Sequence, residues 1–211
     1  MSTPGDVITT ETKFEVPRSI EPEDQARADY YALLASLFYR APDARLLQAI
    51  VIAEPPAGVL SSTWQRLADA SNVVPEDALA EEYDAVFVGV GKPPVMVYGS
   101  FYMAGFMMEK PLAALRQDLA ELGLVRAQNV REPEDHLAAI CDVMRAMILG
   151  DIDTKPQSLE NQRVFFLTHV KPWVFDCTNA ISAYHQSNFY KHVAAFATAF
   201  FKVELEALEM Q

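Results

Sequence analysis

The sequence predicts an all-α protein. Three observations predict it. Large apolar residues recur at three- and four-residue spacing along most of the chain. Gly and Pro break those runs at about one helix length, and the one strand-like stretch, Val86 to Val90, has no second such run to pair with. An unpaired strand leaves its backbone groups unsatisfied, so the helical reading prevails there as well. We expect about eight to ten helices in a single globular domain over residues 21–211, preceded by a disordered tail over residues 1–20.

The tail is rich in Thr, Pro, Glu and Gly and has neither a basic start nor an apolar centre, so it reads as neither a secretory nor a twin-arginine signal. Pro22 then sits where a helix start tolerates it, and Tyr30, Tyr31, Leu33, Leu34, Leu37 and Phe38 form one helix face that ends near Arg40, before Pro42. Asp43 can cap a second helix carrying Leu46, Leu47, Ile50 and Val51, which Glu54 to Gly58 stops. A third helix surrounds Trp64 and Leu67. Pro75 opens a fourth, with acids in its first turn and Leu79, Tyr83, Val86 and Phe87 on one face.

Gly89, Gly91, Pro93, Pro94 and Gly99 forbid regular helix and mark a long central loop, of the kind that tends to be functional. Beyond it, Leu112, Leu115, Leu119 and Leu122 share a stripe that Gly123 ends, and residues 124–131 connect onward. Pro133 reads as the start of a helix with His136, Leu137, Ile140, Val143, Met144 and Met147 on one face and Gly150 as its stop. Ser158 to Val170, Trp173 to Ser187 and Phe189 to about Leu208 complete the helical patterns.

Composition narrows the function classes. With 17 Lys and Arg against 29 Asp and Glu, the net charge is −12, which repels polyphosphate and argues against nucleic-acid binding; a basic partner fits better, and ordinary solubilising surface charge accounts for the excess by composition alone. No apolar run reaches the roughly 18 residues a bilayer span needs. Cys141 and Cys177, the only two cysteines, are far apart in sequence and read as buried reduced thiols, with no zinc knuckle or CxxC pair.

Motifs for phosphate cradles, a nucleophile elbow and a zincin site are all absent. The residues three before the four histidines are Pro133, Phe166, Ser182 and Phe189, so no Glu-x-x-His pair exists to build a di-iron site. No catalysis, cofactor or metal is expected.

Two stretches remain as candidate binding elements. Val97-Tyr98-Gly99-Ser100-Phe101-Tyr102 joins small residues to three aromatics, which suits either a groove where a backbone approaches Gly99 or a buried turn that anchors the loop. Arg131-Glu132-Pro133-Glu134-Asp135-His136 gathers acids and a histidine at a helix start. There they can favour the dipole and cap free N–H groups, or face a partner. Lys171-Pro172-Trp173 reads as a helix-initiating corner with an anchoring Trp.

From Tyr30 to the C-terminus the chain resembles the TorD/DmsD/NarJ family of redox-enzyme maturation chaperones. Glu82-Tyr83 with Phe87-Val88-Gly89 resembles that family's lead into its central loop, and Tyr98-Gly99-Ser100-Phe101-Tyr102 its aromatic-Gly-Ser-x-aromatic box. Glu132-Pro133-Glu134-Asp135-His136 is similar to its Glu-Pro-x-Asp-His box, the most specific of these signals. His169-x-x-Pro172-Trp173 and Asn188-Phe189-Tyr190 match two further marks.

The resemblance implies an all-α, cytoplasmic, non-enzymatic chaperone. It would bind the twin-arginine leader or the apo form of a molybdopterin enzyme catalytic subunit, such as a DMSO/TMAO reductase-like or formate dehydrogenase-like protein, before export. It also implies no stable membrane insertion, and a monomer or a domain-swapped dimer hinged at the central loop. Carried over by position, the leader-binding residues are Tyr98, Gly99, Ser100, Tyr102, Glu132, Pro133, Asp135 and His136. Glu132 and Asp135 are expected to supply negative potential for guanidinium groups, Tyr98, Tyr102 and Phe101 apolar contact, and Gly99 close approach. The alternatives are a NarJ-type chaperone for a non-exported molybdoenzyme and a small helical nucleotide- or metal-binding enzyme using Asp135 and His136.

Overall fold

The computed structural model describes residues 20–125, 130–150 and 155–210, all helix, turn and loop with one isolated β-bridge. The expected tail lies almost wholly outside the described residues, as does the middle of the connection after Gly123.

Local chemistry accounts for most helix boundaries. α1 (Pro22–Tyr39) starts on Pro22, carries Glu23 and Asp24 in its first turn, and stops at Arg40 ahead of Pro42. α2 (Ala44–Ile52) is capped as expected: the Leu46 N–H donates to Asp43 Oδ1 at 2.8 Å. α3 (Ser61–Val73) follows a short 3₁₀ turn at Gly58–Leu60, and α4 (Glu76–Tyr83) follows Pro75. The helix then widens into a π turn over Asp84–Val88, so Val86 and Phe87 stay on the buried side as the apolar spacing demanded.

Gly89 ends that turn at φ 61°, where a Cβ would meet Pro94 Cδ at 2.8 Å and the Lys92 carbonyl at 2.9 Å. Only glycine fits there. α5 (Gly99–Ala104) is a short helix that the spacing did not predict, closed by Gly105. α6 (Lys110–Glu121) and α7 (Leu137–Leu149) follow. α7 begins four residues later than the Pro133 signature suggested, because residues 133–136 form a turn and His136 is the capping residue.

The two patterns expected at 158–170 and 173–187 are continuous rather than separate. α8 (Leu159–Phe165) passes through a π turn at Phe166–Val170 into α9 (Lys171–Ala183). Pro172 lacks the N–H that would close a regular turn, and the wider turn absorbs it without a break. α10 (Tyr190–Glu209) closes the chain. Its start is held by Glu82, whose carboxylate accepts from the amides of Asn188, Phe189 and Tyr190 at 2.8, 3.0 and 2.8 Å.

α1 packs along α7, and α10 lies against α9 and α3. The core they enclose is rich in rings: Tyr30 meets Trp64, Phe196 and Phe200 edge-on with centroids 5.5–6.0 Å apart. A carboxylate lies inside it as well. Glu204 is 1% exposed and accepts from Arg27 Nε at 2.8 Å and from Tyr31 Oη at 3.0 Å, tying α10 to α1. Both cysteines are free and buried.

Candidate functional site

The central loop and the acidic segment meet through their backbones. The Leu137 N–H donates to the Val97 carbonyl at 2.8 Å and the Gly99 N–H to the Asp135 carbonyl at 2.9 Å, which makes one antiparallel bridge between Tyr98 and His136. Each segment also feeds a helix, so the bridge fixes the start of α5 against the start of α7. All eight residues singled out in the sequence sit on these two joined segments or on the α5 turn they hold.

Their burial divides them. Tyr98, Tyr102 and Glu132 are half-buried, whereas Gly99, Ser100, Pro133, Asp135 and His136 are buried. Asp135 Oδ2 accepts the Ser100 N–H at 2.8 Å, satisfying an amide in the first turn of α5. This carboxylate oxygen is therefore turned inward, with Asp135 4% exposed. Gly99 has an internal reason as well: a Cβ there would lie 2.9 Å from Trp173 Nε1, so glycine lets the α5 start approach the α9 indole.

His136 Nδ1 accepts the Ala138 N–H at 3.1 Å and so caps α7 as the neutral imidazole. Burial pushes its pKa down to about 4, because it penalises the cation more than the neighbouring Glu132 and Asp135 carboxylates favour it. Pro133 shapes the turn, its carbonyl accepting from His136 N at 3.1 Å.

The half-buried members form the outward part. Tyr98 Oη donates to Glu132, and burial together with that carboxylate raises the phenol pKa, so Tyr98 remains a donor. The Tyr98 ring stands edge-on to the His136 ring at 5.1 Å. Tyr102 Oη donates to the Met96 carbonyl at 2.8 Å, and its ring stacks on Trp173 at 6.0 Å. Glu134 is paired with Arg116 of α6 at 2.8 Å.

Beside Glu132 and Glu134 opens a groove of about 1030 Å³ between α1, α2, the end of α6 and α7. Alanines line it, Ala35, Ala49, Ala138 and Ala139 among them, with Asp43 and Asp142 and with Arg40, Arg45 and Arg145. Sequence reasoning missed this groove, because alanines on three different helices signal nothing until the helices are placed. It also missed Trp173 as the back wall of the site, although the His-x-x-Pro-Trp mark pointed at the residue. Trp173 donates its indole N–H to the His169 carbonyl at 2.7 Å, and the His169 ring pairs with Asp118 of α6. Among the described residues no group of three or more His, Cys, Asp or Glu is placed to hold a metal ion, and no helix is long and apolar enough to cross a membrane.

The marks noted in the sequence thus meet in space: Glu82 with Asn188 to Tyr190, the Tyr98 box with the Glu132 box, and Gly99 with Trp173. Comparison with known proteins agrees. The family described as nitrate reductase delta subunit matches residues 56–179. The chaperone protein TorD of Shewanella loihica is 26% identical over 89% of this chain and 95% of its own length. The DmsD protein of Haemophilus influenzae, named as a probable Tat proofreading chaperone, is 25% identical over 78% of this chain and 83% of its own. The crystal structure of a proposed redox enzyme maturation protein from Archaeoglobus fulgidus superposes with a TM-score of 0.56 at 19% identity, covering 83% of this chain and 92% of that one, a likeness of fold. The chain belongs to the nitrate reductase delta subunit family, the TorD/DmsD/NarJ group of redox-enzyme maturation chaperones.

Proposed function

We propose that this chaperone works in the cytoplasm, without catalysis of its own, by holding the twin-arginine leader of a molybdopterin enzyme catalytic subunit until that enzyme is loaded for export. The observation that carries the reading is the bridge between Tyr98 and His136, beside which Glu132, bonded by Tyr98 Oη, lines the groove with its alanines. A leader of this kind joins paired arginines to a mildly apolar, helix-forming stretch, so its receptor needs carboxylates beside ring faces. Glu132 and Tyr98 supply those groups where a ligand can reach them, and Tyr102 adds a second ring. Gly99, Ser100, Pro133, Asp135 and His136 act beneath them by fixing their positions. The net charge of −12 speeds the approach of a basic segment, and added salt weakens it.

The test is a calorimetric titration of a synthetic twin-arginine leader peptide into wild type, Glu132→Gln and Tyr98→Ala, with circular dichroism as a check on folding. We expect each variant to bind about tenfold more weakly, the effect of losing one charge-assisted hydrogen bond or one ring contact. Unchanged affinity in both removes the site. Copurification of the tagged protein with a client that lacks an exported leader would favour the NarJ-type reading instead.

A further inference from the structure

The turn that leaves α5 carries three large apolar side chains in the open: Met103 is 41% exposed, Phe106 73% and Met108 70%. Exposed apolar residues are ordinary when scattered singly, but three within six residues form a patch that calls for a partner. The turn is also built at a cost. Gly105 ends α5 at φ 82°, and Met108 holds φ 60°, the left-handed region that a residue with a Cβ avoids.

The turn is anchored to the bridged segments. The Met108 N–H donates to Ser100 Oγ at 3.2 Å, and the buried Ser100 donates its own N–H to Asp135 at 2.8 Å. Two hydrogen bonds therefore join the exposed methionine to the acidic segment that carries Glu132.

We propose that the Met103–Met108 turn receives the apolar, helix-forming stretch of the same leader whose arginines meet Glu132. This rests on the function proposed above and adds a second recognition surface to it. Charge complementarity selects the occupant: an apolar patch tied to an acidic segment on a chain of net charge −12 matches a peptide in which basic residues adjoin an apolar helix face. Unbranched, polarizable Met side chains repack against many apolar shapes, which suits a leader whose apolar stretch is defined by hydrophobicity rather than by one sequence.

The experiment uses two synthetic peptides, one with paired arginines followed by a Leu- and Ala-rich stretch, the other with those leucines replaced by serine. Phe106→Ser tests the ring, and Met108→Asn removes the thioether while suiting the left-handed backbone. We expect each to weaken the first peptide about tenfold, as the loss of one buried large apolar group does, and to leave the second unchanged. In wild type labelled with ¹³C at its methionine methyls, the Met103 and Met108 signals shift with the first peptide only. Unchanged affinity of both variants for the first peptide overturns the proposal while leaving the Tyr98–Glu132 reading intact. Equal weakening of both peptides assigns the turn a bracing role and also overturns it. Failure of wild type to bind either peptide sinks both readings.

Discussion

The amide of Ser100 donates to Asp135 Oδ2 at 2.8 Å, with Ser100 fully buried and Asp135 4% exposed. Asp135, read in the sequence as a source of negative potential, is also an internal fastener between α5 and the segment before α7. Asp135→Ala orphans that buried amide and is expected to cost about 1–3 kcal/mol, while Asp135→Asn, which keeps an acceptor oxygen, costs less. Urea denaturation measures both. Equal stability of Asp135→Ala and wild type would show that the bond contributes nothing.

Gly99→Ala places a methyl 2.9 Å from Trp173 Nε1 and is expected to destabilise by about 1–3 kcal/mol through overpacking. Since the clash is with the indole, Gly99→Ala and Trp173→Phe should be non-additive: the double variant should lose less than the sum of the single losses. A thermal-denaturation cycle over the four proteins checks it, and simple additivity would count against the contact as the cause.

His136 makes stability depend on pH. Its folded pKa of about 4 lies below the ordinary histidine value, so the unfolded chain binds more protons between roughly pH 6.5 and 4. The stability it contributes is complete above about pH 6.5 and is lost as pH falls through about 4, to a total on the order of 3 kcal/mol. His136→Asn keeps a capping oxygen but does not titrate, so its urea midpoint should fall less than that of wild type between pH 7 and 4. Parallel pH profiles would show that other groups carry the dependence.

Glu82 satisfies three amides at the start of α10 from a position on α4. Glu82→Ala should lose about 2–3 kcal/mol, above the usual cost of a missing cap because several amides lose their acceptor together. Hydrogen exchange locates the effect: the Tyr190 amide should exchange faster in the variant, whereas amides in α2 should not change.

Arg27 and Glu204 form the charged contact in the core. Glu204→Ala leaves the Arg27 guanidinium without that carboxylate and is expected to cost about 3–5 kcal/mol by chemical denaturation. Replacing both residues with apolar groups of similar size should cost much less than the single change.

Apolar spacing made α1, α7 and α10 legible, because each buries one continuous face. Asp43 was legible as a cap because its chemistry is local: a carboxylate three residues ahead of the amide it accepts from. Pro133 misled for a related reason. Its fixed φ suits a turn as well as a helix start, and only the fold shows that His136 is the residue that caps. α5 escaped notice because six residues are too few to show a period. The break read at Pro172 became a π turn, since an extra residue in one turn shifts the pattern without interrupting it. The candidate residues were found by their resemblance to a family, but their division into three outward residues and an inward scaffold depends on Trp173 and Ser100. Those contacts cross the chain and have no local signature.

The bridge between Tyr98 and His136 is made by stretches distant in sequence, so the proposed receptor surface exists only in the folded chain. An occupant that grips both stretches binds the native state and not the unfolded one, and by mass action it adds about 2.7 kcal/mol of stability at a hundred times its dissociation constant. A cell rich in waiting client would hold a chaperone that resists heat and proteases, and one emptied of client would turn it over faster.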